Sequence, residues 1–234
     1  MLIQGNAGIG FDDLFQLYCF PDHFIAISPL GEKWAMKYAP WIRKTYIPYG
    51  VDLTQFKFAR PMSLVLKKPI VFCVAAFSPY KRIDLLIKAM AEVPEASLLV
   101  IGNGDLEQEL RVLGGKLLGN RFLLKTGIAH EKLSAYYKSA DLFSLPSASS
   151  EAFGIVYIEA MAAGLPVVAP NDYNRREIIG EAGMFVDPKD SMAYASAIKE
   201  AIGTDFGDKP RLQAEKFSWK KIIEKYKDVL IGLK

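Results

Sequence analysis

Cysteine and histidine are scarce in this chain, which has two of each. Cys19 and Cys73 lie far apart, without the close spacing of a metal or redox pair. A reducing compartment, the cytoplasm, is therefore the expectation, and neither a disulfide framework nor a metal cofactor is implied. No apolar run reaches the ~18 residues that a membrane-spanning helix needs. The opening M-L-I-Q-G-N-A-G has no basic stretch leading into an apolar one, so no signal peptide is expected. Internal repeats and low-complexity tracts are absent too. Charge of either sign is in short excess: 29 Lys and Arg against 26 Asp and Glu leave a net charge of +3. That is too mild to imply nucleic acid, and suits a small anionic ligand equally well.

Apolar residues are plentiful, at 51% of the chain, and their arrangement is orderly. From Ile70 onward, short apolar runs (Ile70–Ala75, Leu98–Ile101, Arg121–Lys125, Asp141–Leu145, Val167–Ala169, Met184–Val186) alternate with helical patterns. Strands without polar alternation, separated by helices, predict an α/β domain: a doubly wound, Rossmann-like parallel sheet covered on both faces. Asp190 caps a helix through Ala201. The tail Phe217–Leu233 carries an amphipathic stripe of Trp219, Ile222, Ile223, Tyr226, Val229 and Leu230.

The stretch Pro146–Pro170 is the most informative. Ser147 to Ser150 form a polar turn that shapes a loop rather than reacts. A helix starts near Phe153-Gly154 and runs through Glu159 to Ala163, where Gly164 and Pro166 end it. Glu151 and Glu159 are eight residues apart. On one continuous helix they would diverge by about 80° and lie about two turns apart. With Glu151 in the turn, both can face one cleft, beside the free N–H groups of Phe153, Gly154 and Ile155 at a positive helix end. Spacing alone leaves open a surface Glu and a helix-face Glu with no shared role.

The segment E-A-F-G-I-V-Y-I-E-A-M-A-A-G-L-P-V-V resembles the E-x7-E signature of retaining nucleotide-sugar glycosyltransferases of family 4 (glycosyl transferases group 1), which have the GT-B fold. Y-I-P-Y-G-V-D with Phe56 resembles that family's domain crossover, with Tyr49 where Asn is common. The resemblance runs from Ile47 to the C-terminal helix, and weakly over the residues before it. It implies three parts: residues 1–46 as a remnant of an N-terminal acceptor domain, 47–218 as the nucleotide-sugar-binding domain, and 219–234 as a helix crossing back to the remnant.

By resemblance, Glu159 accepts the ribose hydroxyls, and Glu151 orients the donor sugar with the N–H groups of Phe153, Gly154 and Ile155. Lys81, in the context K-R-x-D-x-L-I, holds the diphosphate. Glu151 and Lys81 are thus the catalytic candidates. The family commonly carries an Arg where this chain has Ala76, so Arg82 is a candidate second cation. Gly102 and Gly104 would let backbone approach the nucleotide, although Gly-Asn-Gly is also an ordinary turn. The Ile128 backbone would pair with the base. The absence of any D-x-D removes the metal–diphosphate clamp of the other major glycosyltransferase fold.

The expected function is transfer of a sugar from a UDP- or GDP-linked donor to a carbohydrate or lipid-linked acceptor hydroxyl, with retention. A fragment inactive without its N-terminal domain is implied. The alternative is a non-catalytic nucleotide-sugar-binding module. Residues 1–46 read as one strand (Asp22–Ser28) and a helix from Leu30 to Tyr38, too little to bury a core. His23 reads as a buried or edge histidine. Trp34, Met36, Tyr38, Trp41 and Tyr46 alternate with Lys33, Lys37, Arg43 and Lys44. That composition fits either a peripheral membrane contact or a helix packed on its own domain.

Overall fold

The computed structural model describes residues 3–5, 11–149 and 151–232. The chain begins with β1 (Ile3–Gly5), α1 (Phe11–Tyr18), β2 (His23–Ala26), α2 (Pro29–Tyr38) and β3 (Lys44–Tyr46). These strands make a parallel sheet ordered β1-β2-β3. Ser28 caps α2, its Oγ accepting the Gly31 N–H at 3.0 Å. Pro29 takes the first helical turn, where its missing N–H costs nothing. One strand was expected here, and the structure adds a parallel neighbour on each side. Each is three residues long, too short for a pattern to show. The unit accordingly has a small core of its own, made of Leu17, Phe24, Ala26, Ala35, Ala39 and Ile42.

Next comes α3 (Leu53–Phe58), capped by the Asp52 carboxylate on the N–H groups of Thr54 and Gln55. The remaining elements are β4 (Ile70–Val74), α4 (Ile83–Ala91), β5 (Ser97–Ile101), α5 (Glu107–Leu118), β6 (Phe122–Lys125), α6 (His130–Ser139), β7 (Leu142–Ser144), α7 (Ile155–Ala163), β8 (Val167–Pro170), α8 (Tyr173–Ile179), β9 (Gly183–Val186), α9 (Ser191–Gly203), α10 (Lys209–Glu215) and α11 (Trp219–Gly232). The second sheet is wholly parallel, with order β6-β5-β4-β7-β8-β9. Every residue of β4, β5, β7 and β8 is buried, as helices on both faces require. Asp141 marks the start of β7. Its carboxylate accepts the Ile70 N–H and pairs with Lys68, both at 2.8 Å, and so sets where β4 begins.

The strand order reverses between β4 and β7, and ligands of doubly wound sheets bind at such a switch point, outside the carboxyl ends of the strands. α7 starts there. It is entered through Gly154 at φ 80° and left through Gly164 at φ 92°, both left-handed conformations that favour glycine. The sequence placed its start one or two residues early. From Tyr157 to Ala163 the helix is buried on every side, so Glu159 is a carboxylate inside the protein.

α11 joins the two units. Its start pairs with the crossover through Val51 N–H to the Phe217 carbonyl at 2.9 Å, and the Trp219 ring lies so close over Gly50 that a Cβ there would fall 2.4 Å from it. Ile222 and Val229 are buried with Ile25 of the first unit and Ile47 of the crossover. Ile223, Tyr226 and Leu230 stay exposed, so only part of the apolar stripe is covered.

Candidate functional site

Of the four loops that follow β4, β5, β6 and β7, those after β4 and β7 meet at the switch point. The loop after β4 makes one 3-10 turn over Pro79–Lys81. It aims Lys81 at the loop after β7, where its Nζ forms an ion pair with Glu151. Both side chains are mostly buried, at 13% and 14% exposure, so water screens the pair little. They line a cavity of about 290 Å³ with Tyr80, Ala76, Tyr49 and the segment Ala152–Val156. Lys81 is the cationic side chain on that wall. Among the described residues, the N–H groups of Phe153, Gly154 and Ile155 have no protein acceptor. The cavity thus offers one ammonium, one carboxylate and a helix amino end with free donors. Such a constellation binds a phosphate group bearing a polar substituent. Tyr49 packs edge-on against Phe153, with ring centroids 5.6 Å apart.

Arg82 takes a different position from the one expected. It adopts a left-handed conformation at φ 52°. Its guanidinium donates to the carbonyls of Pro146 and Ser147, both at 2.7 Å. It braces the loop after β7 and does not line the cavity, so nothing there replaces the cation missing at Ala76. Gly102 and Gly104 also answer to packing. A Cβ on Gly102 would sit 1.8 Å from the Ala75 carbonyl oxygen, and one on Gly104 2.6 Å from that of Phe77. The close approach they permit is to the neighbouring loop. Asn103 ties the third loop to the second, its Oδ1 accepting the Gly127 N–H at 3.0 Å.

Glu159 lies three residues past Val156, about 4.5 Å of helix rise from the cavity wall. Its Oε2 accepts the Tyr137 hydroxyl at 2.8 Å, and its Oε1 faces His130 Nε2 at 3.6 Å. Burial raises the Glu159 pKa above the ordinary carboxylate value, while the Tyr137 hydrogen bond and His130 pull the other way. Ile128 is half-buried against the core, two residues before His130. Lys81, Glu151, Phe153, Gly154 and Ile155 therefore share one cavity, whereas Glu159 belongs to a second group with Tyr137 and His130. Ser150 lies outside the described residues.

Sequence reasoning missed Arg175, one of the largest fully buried side chains. Its Nη2 donates to Ser147 Oγ and the Ala148 carbonyl, both at 2.8 Å. Nη1 pairs with Asp172, and Nε reaches the Tyr157 hydroxyl at 3.4 Å. Two arginines thus grip the loop that carries Glu151 from opposite elements. Asn174, also buried, donates to the Ala152 carbonyl at 2.5 Å. The signal available was D-x-x-R at a helix start, which usually means a solvated pair. Among the described residues, no group of three or more His, Cys, Asp and Glu could hold a metal ion, and no helix is long and apolar enough to cross a membrane.

A parallel sheet with an ammonium, a carboxylate and a free helix amino end at its switch point makes a doubly wound α/β domain with the chemistry to receive an anionic ligand. Residues 55–216 match the family Glycosyl transferases group 1, and the chain belongs to that family. It is 37% identical over 184 residues to the phosphatidyl-myo-inositol mannosyltransferase of Mycobacterium tuberculosis, a match covering 74% of this chain and 48% of that protein. It is 29% identical over 190 residues to a GDP-mannose-dependent alpha-(1-6)-phosphatidylinositol monomannoside mannosyltransferase of Mycolicibacterium smegmatis, covering 73% of this chain and 50% of that protein. The chain spans about half the length of these curated relatives. Among solved structures, sucrose-phosphate synthase from Thermosynechococcus elongatus superposes with a TM-score of 0.81 at 25% identity, over 99% of this chain and 67% of that one. A glycosyltransferase from Rickettsia africae gives 0.81 at 19% identity, over 97% and 69%.

Proposed function

We propose that this chain is the donor-binding half of a retaining glycosyltransferase that takes a nucleotide-diphosphate sugar, with GDP-mannose the favoured donor. The observation that carries this is the Lys81–Glu151 pair beside the free N–H groups of Phe153–Ile155 at the switch point. The GDP-mannose named for the M. smegmatis relative supports the choice of donor. In this reading the distal phosphate draws Lys81 away from Glu151 and settles against the start of α7. Glu151 is then released to accept hydrogen bonds from the sugar hydroxyls. Transfer breaks the bond between the anomeric carbon and the phosphate oxygen, and the electron pair leaves with the nucleoside diphosphate. Lys81 and the helix N–H groups stabilise that developing charge. The acceptor hydroxyl bonds to the same face of the carbon, and its proton passes to the leaving phosphate oxygen. No step calls for a metal.

In the same reading, residues 1–46 are the end of an acceptor-side domain, and α11 returns to it. The acceptor is lipid-linked, as the relatives' phosphatidylinositol suggests. The first unit exposes Phe15, Phe20, Met36 and Trp41 and carries Lys33 and Lys37 on α2, a composition suited to peripheral contact with a cytoplasmic membrane face. Calorimetry with GDP-mannose, UDP-glucose and the free nucleotides tests the donor. Transfer assays with and without a supplied N-terminal half separate an enzyme half from a binding module. Hexosyl transfer appearing only with that half supports the enzyme reading, and none in either case removes it.

A further inference from the structure

The group around Glu159 is not explained by ribose binding alone. Tyr137 is fully buried. Its ring is fixed by Phe72 at 4.9 Å and by Phe56 and Phe143, both at 5.7 Å between centroids. A hydroxyl on so rigid a ring has little choice of direction. It donates to Glu159 Oε2 at 2.8 Å, with the Val156 carbonyl more distant at 3.4 Å. One carboxylate oxygen is thereby anchored from inside, and Oε1 is turned toward the mostly exposed His130 at the start of α6. A buried carboxylate deprived of its donor tends to take up a proton, and a protonated Glu159 would offer one acceptor fewer to a ligand.

We propose that Tyr137 is a positioning residue of the nucleotide site: its hydroxyl holds Glu159 ionised and keeps Oε1 facing outward to receive the ribose hydroxyls. The proposal rests on Glu159 being the ribose acceptor. The charged groups around Glu159 are few among the described residues. Tyr137 and His130, both on α6, face it directly, and Cys73 of β4 faces Tyr137 from behind. Arg175 of α8 faces Tyr157 instead. Lys57, Lys138, Arg211 and Glu215 gather around Ala162, near the far end of α7.

The test compares GDP with 2′,3′-dideoxy-GDP by calorimetry on the wild type and Tyr137→Phe. Hydrogen bonds to charged groups set the scale, so wild type should lose about ten- to a hundredfold without the ribose hydroxyls. Tyr137→Phe should weaken GDP by about tenfold and leave the dideoxy ligand within about twofold. Equal losses for both ligands would mean a merely structural ring, and an unchanged GDP affinity would remove any role; either overturns the proposal. In a His130→Gln background, which removes the imidazole facing Glu159, the acid limb of GDP binding should move to higher pH in Tyr137→Phe relative to Tyr137, and no movement overturns it. Should Tyr137→Phe fail to fold, site-specific 3-fluorotyrosine at position 137, a stronger donor, should move that limb to lower pH, and an unmoved limb overturns the proposal. Glu159→Gln keeps the underlying reading separate. If it binds GDP as wild type does, Glu159 is not the ribose acceptor, whereas a loss there with none in Tyr137→Phe overturns only the role of Tyr137.

Discussion

The two sheets of this chain share one parallel plan but bury themselves by different means. The six-stranded sheet has its central strands sealed by helices of the same unit, and one continuous core runs from Val51 to Phe217, with Ile27 of the smaller unit packed into it. The three-stranded sheet has a core of six buried residues. It depends on Ile222 and Val229 of α11 to cover Ile25 and Ile47, and it leaves Phe15, Phe20 and Trp41 more than half exposed. The cavity follows the same division. All of its wall except Ile27 and Tyr49 comes from the larger unit. The lesson is that the candidate cavity sits on the self-sufficient part, with Ile27 and Tyr49 completing its wall.

The largest expected effect is on the larger unit. Gly102→Ala would drive a methyl into the Ala75 carbonyl, whose own residue is held by its N–H on the Ile101 carbonyl. A loss of about 3 kcal/mol or more is expected, read as failure to fold or a large drop in unfolding midpoint. Ile222→Ala comes next, at about 2–4 kcal/mol for a buried side chain. Hydrogen exchange should then show protection lost in β2 and β3 but kept in β4 and β5. Protection lost evenly in both sheets would break the division drawn here.

Glu159→Gln should act in the opposite sense. Burial raises its native pKa above the ordinary carboxylate value, so burial works against the ionised form in the folded state. Wild type gains stability as pH falls through that raised value toward the ordinary carboxylate range. Glu159→Gln should therefore melt higher than wild type near pH 7, with the gap closing in acid, while nucleotide binding weakens. A gap independent of pH would count against burial as the cause. Smallest of all, Trp41→Ser should change stability by no more than about 0.5 kcal/mol, since the ring is exposed. It should still reduce binding to anionic vesicles, and undiminished vesicle binding would take Trp41 out of any membrane contact.

Residues with their own period or turn chemistry were legible in the sequence. The apolar runs from Ile70 to Val186 announced the parallel sheet, Gly154 and Gly164 bounded α7, and Asp190 marked a cap that the structure shows. Short elements were not: β1 and β3 have three residues each, and α10 has seven. The tertiary bonds of arginine were equally hidden. Arg82 was the candidate to replace the cation missing at Ala76, yet a left-handed backbone turns it onto Pro146 and Ser147. Arg175 drew no functional reading from the sequence and is buried, because its partners are carbonyls of a distant loop.

The central claim is that Lys81 and the start of α7 receive a diphosphate. The direct measurement is calorimetric titration of wild type and Lys81→Ala with GDP and GMP. Wild type should bind GDP more tightly than GMP. Lys81→Ala should erase most of that difference by weakening GDP about ten- to a hundredfold while changing GMP far less. Equal losses for the two nucleotides, or no preference for GDP in the wild type, would contradict the account.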